Sequence, residues 1–211
     1  DGFSATGKTI MPPIIDAYRD TLLPNYYYEL EWLCSLWQGS YISEECFISM
    51  IRNYCDYKIY NNLIGREVNT RLGDLSSIWK STKLISLIKK IIRPNDEYLY
   101  KSNKNIKKVM PFTITQAFKT PLLFKKSLGD RMLFLEFVRD PFSMFLQNSI
   151  LFDKVINGDP RKDFTIRRYD NVTENLIPTY FEGAEFTKIK YKSTHNYIIA
   201  MFEYLISQWK E

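Results

Sequence analysis

The chain is poor in the residues that build metal centres and disulfide scaffolds. Among its 211 residues it has one histidine, His195, and three cysteines, Cys34, Cys46 and Cys55, with no CxxC pair, so a zinc site has too few ligands and a disulfide scaffold is excluded. The cysteines read instead as small buried hydrophobes in a reducing, cytoplasmic setting. No apolar run approaches the roughly 20 residues of a membrane span, and even Met132 to Val138 is broken by Glu136. No segment recurs at a fixed spacing, which excludes a solenoid.

What is present is core material. Apolar residues make up 45% and aromatics 16%, too much for a disordered chain. At about 150 residues per domain, residues 1–211 read as a single domain. The 29 basic and 24 acidic residues leave a net charge of +5, a mild excess that suits an anionic ligand without demanding nucleic acid. The short basic clusters Lys89-Lys90, Lys107-Lys108, Lys125-Lys126 and Arg167-Arg168 read as solvated faces. The chain opens on Asp1-Gly2 and closes within a helical run at Trp209-Lys210-Glu211, which reads as a chain cut at both ends, with its first strand outside.

The apolar spacing of Ile10, Met11, Ile14, Ile15 and Tyr18 predicts a helix with these residues inward, entered through Pro12 and Pro13 and ended before Pro24. Asn25 to Glu31 reads as a strand passing into a helix through Trp37. Ser43-Glu44-Glu45 caps a long helix whose stop is Gly65. A helix from Lys83 to Ile92, a surface loop over 95–107, a strand over 108–115 and a helix from Pro121 to Leu128 follow. Met132 to Val138 reads as a strand buried on both faces, followed by a helix from Phe142 to Val155. Residues 158–192 read as loop, and Asn196 to Gln208 as a last helix. This order is that of an α/β domain with a mostly parallel sheet, whose ligands sit at the carboxyl ends of the strands.

Gly2-x-x-x-x-Gly7-Lys8-Thr9 satisfies the phosphate-loop pattern, in which backbone amides curl round an oxyanion at a helix N-terminus. Lys8 supplies a full positive charge and Thr9 a hydroxyl, while Ser4, Ala5 and Thr6 form the loop between the glycines.

The stretch from Lys108 to Ser149 resembles the part of sulfotransferases in which a strand and a proline-led helix precede a strand ending in Arg-Asp-Pro, here Arg139-Asp140-Pro141. With the phosphate loop in the right order, the resemblance implies a three-layer P-loop fold with a mostly parallel central sheet flanked by helices. It implies a transferase that moves a sulfuryl group from 3′-phosphoadenosine 5′-phosphosulfate to a hydroxyl or amine of a small-molecule or saccharide acceptor. In that family the loop holds the 5′-phosphosulfate, and an arginine and a serine hold the 3′-phosphate. Arg139 matches the arginine. The serine's usual position, eight residues on, is Gln147 here, with Asn148 and Ser149 following, and any of the three can donate a hydrogen bond. The family loop reads Gly-Thr-Thr or Gly-Thr-Ser where this chain has Gly7-Lys8-Thr9, and the family lysine falls at Ser4 or Ala5, so Lys8 takes its place in this reading.

A sulfuryl acceptor has to lose a proton, so a base is expected near the loop. Some sulfotransferases use a glutamate at the end of the second strand, which makes Glu29 and Glu31 the candidates, with His195 behind them. Two apart, they share a side if extended and part if helical. Residues 65–77, with Arg66, Glu67, Arg71, Asp74, Ser76 and Ser77, read as an acceptor-side or phosphate-side loop or as a loop held by its own turns. Arg161, Lys162, Arg167 and Arg168 read as a lid or a solvated loop, and Tyr26 to Tyr28, Trp32 and Trp37 as a pocket or as core. The Gly-Lys-Thr spelling also admits an ATP·Mg kinase, with Thr9 and either Glu136 or Asp140 on the metal, and a non-catalytic nucleotide-binding module.

Overall fold

Local end signals set the helices of this chain, and one long helix organises the rest. A computed structural model describes residues 6–93, 95–103, 108–114, 120–147, 149, 167–170, 175–178, 199 and 203. Helix α1 spans Met11–Asp16, α2 Tyr28–Gln38, α3 Glu44–Ile64, α4 Leu84–Ile92, α5 Asp96–Asn103 and α6 Pro121–Leu128. Residues 141–147 are also helical. The strands are β1 (Asn25–Tyr26), β2 (Phe112–Thr113), β3 (Arg167–Asp170) and β4 (Asn175–Pro178).

The central helix α3 begins where Ser43 Oγ accepts from the Cys46 amide at 3.2 Å and ends where Gly65 turns left-handed at φ 78°. Its apolar face carries Phe47, Ile51 and Cys55 into a core shared with Tyr27, Leu30, Leu33 and Cys34, and with Leu123 and Phe124 of α6. Arg52 fastens α6 to α3 by donating to the carbonyls of Ser127 at 2.6 Å and Lys126 at 3.2 Å, which have no helical donor left. Cys34 and Cys55 are buried, and burial pushes the Cys55 thiol up to about 12. Cys46 is exposed, contrary to expectation, because it lies on the solvent side of the first turn of α3.

Strand β1 pairs in parallel with β2, Asn25 opposite Phe112 and Tyr26 opposite Thr113, and the pairing extends back to a bridge between Thr21 and Val109. Parallel neighbours need a crossover, and helices α2 to α5 supply it. The architecture is thus mixed: helices packed about a small two-stranded parallel sheet, with β3 and β4 as a separate antiparallel pair.

Four local expectations change. Ile10, Ile14 and Tyr18 face solvent, because Pro12 and Asp16, four apart on α1, turn inward instead. Asp16 tolerates burial since Ser81 Oγ donates to it at 2.7 Å and the Thr82 amide at 3.1 Å. Residues 96–103 form α5 rather than loop, its entry capped by Asn95 Oδ1, which accepts from the Tyr98 amide. Residues 167–170 and 175–178 are strands within the expected loop.

The fourth change concerns 132–138, which holds no strand; Phe137 alone takes part in a bridge. Met132 and Phe134 pack on the core, whereas Leu133 is 81% exposed. A strand apolar on both sides needs a layer over each, and the outer side of this run is open among the described residues.

Gly65 should be the least replaceable turn residue. A Cβ there would come within 2.9 Å of the Lys90 Cβ in addition to the cost of its left-handed backbone. Gly65→Ala is expected to lose about 2 kcal/mol in urea unfolding, whereas Gly73→Ala, with open space around it, should be close to neutral.

Candidate functional site

The short connection from β1 to α2 decides where the candidate acids point. Tyr27 is the extended residue before the helix, so Glu29 and Glu31 both fall in the first turn of α2, just beyond the carboxyl end of β1. Two residues on a helix are separated by about 200°, and the two carboxylates part accordingly. Glu31 is completely buried and accepts from the Tyr26 hydroxyl at 2.7 Å. Glu29 keeps 43% of its side chain exposed, 3.5 Å from Lys58 Nζ.

Lys8 joins the Glu31 side. Gly7 takes φ 91°, a left-handed conformation natural to glycine, and leads directly into a short turn of 3-10 helix, Lys8–Ile10. That turn carries Lys8 inward until only 7% of it is exposed. Burial lowers the Lys8 ammonium to about 8, while the Glu31 carboxylate acts on it in the opposite sense. Two sequence candidates from different elements thus lie within Coulombic range of one another as a buried cation and a buried carboxylate, and Tyr26 is bonded to the second. Tyr26 belonged to the aromatic run but had no signal tying it to Glu31.

Glu29 belongs to a different cluster. Lys58 Nζ lies 2.8 Å from Glu67, 3.5 Å from Glu29, and 5.1 and 5.0 Å from the ring centres of Tyr27 and Tyr54. Burial works to raise the Glu29 carboxyl, but the neighbouring Tyr54 hydroxyl and Lys58 hold it below its ordinary value. Burial in turn raises the Tyr54 hydroxyl, and Glu29 adds to the effect.

The remaining sequence candidates sit at the turn Arg139-Asp140-Pro141. Asp140 Oδ2 accepts from the Ser143 amide at 2.8 Å, so this carboxylate caps the helix over 141–147 and is held below its ordinary pKa by that bond. With the turn fixed, Arg139 Nη1 donates to Gln147 Oε1 at 2.7 Å. Ser149 Oγ donates to the Phe145 carbonyl at 2.9 Å. Gln147 is thus placed beside the arginine. Glu136 is exposed.

Gly2, Ser4, Ala5, Asn148, Arg161, Lys162 and His195 lie outside the described residues; Thr6 is half-buried and Thr9 continues the 3-10 turn. Arg167 and Arg168 lie on β3, opposite Pro178 and Ile177. The 65–77 loop is held by its own side chains: Asn69 Nδ2 donates to Asp74 and Ser76, each at 3.0 Å, and Trp79 Nε1 to the Thr70 carbonyl at 2.8 Å. Trp37 packs on Phe47 and Tyr27 on Phe112, as core residues, whereas Tyr28 and Trp32 are exposed.

No protein-family model, curated protein or solved structure matches the chain.

The burial of Lys8 has a thermodynamic signature. Its pKa falls from 10.5 to about 8 on folding, so between those values the unfolded chain holds the proton more firmly. Stability from this group is therefore complete above 10.5 and lost as pH falls through about 8. Relative to Lys8→Met, the parent chain should gain about 3 kcal/mol of unfolding free energy across that window. Urea titrations of both chains at each end of it check this, and a constant difference would contradict the burial.

Proposed function

We propose that the chain is a sulfotransferase-like transferase of the three-layer P-loop class, which binds 3′-phosphoadenosine 5′-phosphosulfate and delivers its sulfuryl group to a hydroxyl or amine. The observation that carries this reading is a buried Lys8 within Coulombic range of Glu31, which stands just beyond the carboxyl end of a parallel strand, where α/β sheets place their ligands. A second observation agrees with it: Arg139 and Gln147, at the positions expected to hold the 3′-phosphate, are side by side.

The residues present fit such a ligand. A left-handed Gly7 followed by a buried ammonium is suited to an oxyanion, since a charge in low dielectric acts more strongly than one in water. Lys8 and the loop amides would hold the 5′ end of the donor, and Arg139 with the Gln147 amide would hold the 3′ end. The bound donor supplies the activated sulfuryl group.

The two glutamates divide the remaining work. Glu31, wholly buried, positions Lys8 and offsets its desolvation. Glu29, partly open to solvent and held ionised by Tyr54 and Lys58, takes the proton from the acceptor. Lys8 offsets negative charge that builds on the donor side.

Calorimetry of the chain with adenosine 3′,5′-bisphosphate tests the reading. Arg139→Ala and Lys8→Ala should each weaken binding about 10- to 100-fold, the range for one charged hydrogen bond. Glu29→Gln should leave binding intact and suppress sulfuryl transfer to mixed hydroxyl and amine acceptors. No binding by the parent chain, or binding indifferent to both Lys8 and Arg139, would refute it.

A further inference from the structure

A concentration of positive charge lies at the opposite end of the parallel pair, on residues the nucleotide reading leaves unused. Lys83, the N-cap of α4, and Lys90 lie two helical turns apart and so share one side of that helix. Lys108 precedes Val109, whose amide donates to the Asp20 carbonyl and whose own carbonyl accepts from the Leu22 amide, both at 2.8 Å. Lys83 reaches the same chain segment, its Nζ lying 2.7 Å from the Tyr18 carbonyl and 2.8 Å from the Thr21 carbonyl. Lys90 is braced from the other side, its Cβ close against Gly65 at the end of α3. Thr21 and Val109 bridge just before β1 and β2, so Lys83 and Lys108 lie at the amino end of the pair, with Lys90 two turns further along α4.

The ammonium groups are close enough to act on one another. Lys108 and Lys83 both bear on Lys90, which burial has already lowered to about 8, and Lys108 bears on Lys83. The carboxylates that face the cluster serve Lys83: Asp16 lies 3.6 Å from its Nζ, and Asp20 lies within Coulombic range. Among the described residues no carboxylate forms an ion pair with Lys90 or Lys108. Two half-buried cations are thus left without a counter-charge, an arrangement that costs free energy until an anion enters.

We propose that Lys90 and Lys108, beside a Lys83 whose three donors are taken by Tyr18 and Thr21, form a second anion site, which binds a phosphate monoester or inorganic phosphate at the amino end of the β1–β2 pair. The charges match: Lys83 is answered by Asp16, and the two remaining cations equal the roughly two negative charges of a phosphate monoester at neutral pH. Lysines bind such a group as point charges with rotatable donors. The ligand is soluble or is a phosphomonoester lipid headgroup. The proposal is independent of the nucleotide reading.

The test follows the melting temperature of the full chain as inorganic phosphate replaces chloride at constant ionic strength. It also measures co-sedimentation with phosphatidylcholine vesicles with and without phosphatidic acid. Phosphate should stabilise the parent chain, the Lys90→Arg/Lys108→Arg pair and Arg139→Ala. For Lys90→Gln/Lys108→Gln the apparent affinity should fall at least about tenfold, the equivalent of one charged contact. A response to phosphatidic acid alone that the glutamine pair abolishes supports the same site and assigns it to a headgroup. If the glutamine pair does not fold, Lys108→Gln alone is compared. The proposal is overturned if parent and glutamine variants respond alike to both probes, or if the parent responds to neither.

Discussion

The ammonium of Lys8 and the carboxylate of Glu31 lie out of water within Coulombic range of one another, and the elements that carry them there are set by the constraint this imposes. Lys8 arrives from a left-handed turn at Gly7, while Glu31 arrives from the opening turn of α2. Removing two charges from water is expensive, and their attraction in the interior offsets the cost only where hydrogen bonds complete the arrangement. Tyr26 provides such a bond to Glu31. A buried pair of this kind adds little net stability compared with apolar residues of the same volume.

The scaffold makes that placement rigid. Leu30, Leu33 and Cys34 anchor α2 in the core built on Phe47, Ile51 and Cys55 of α3, which fixes the rotation of α2 about its axis and with it the direction of each glutamate. Glu29 is then captured by Lys58 from α3, which also holds Glu67 at the start of the loop after that helix. One lysine of the central helix thus ties together α2, α3 and the 65–77 loop, and it keeps the more exposed glutamate apart from the buried one.

Elements with strong end signals were legible in the residues alone. Ser43 and Gly65 delimit α3, Pro121 and Gly129 delimit α6, and Asp140-Pro141 opens the helix after Arg139, because caps are local chemistry. What depended on distant partners was not legible. The side of α1 that turns inward is chosen by Ser81 and Thr82 meeting Asp16, some sixty-five residues away, and apolar spacing favoured the other side. The run from Met132 to Val138 has the composition of a doubly covered strand, yet coverage is a property of its neighbours. At the site, the residue types Lys8, Glu29, Glu31, Arg139 and Gln147 could be named in advance. That Glu31 acts on Lys8, and that Gln147 meets Arg139, followed only from helix phase and turn geometry.

The most direct test of the buried pair is a nitrogen-detected NMR titration of the Lys8 ammonium itself. A midpoint near pH 8 is expected, moving lower in Glu31→Gln and higher when adenosine 3′,5′-bisphosphate is added. A midpoint near the ordinary 10.5, indifferent to both changes, would place Lys8 in solvent and remove the basis of the site.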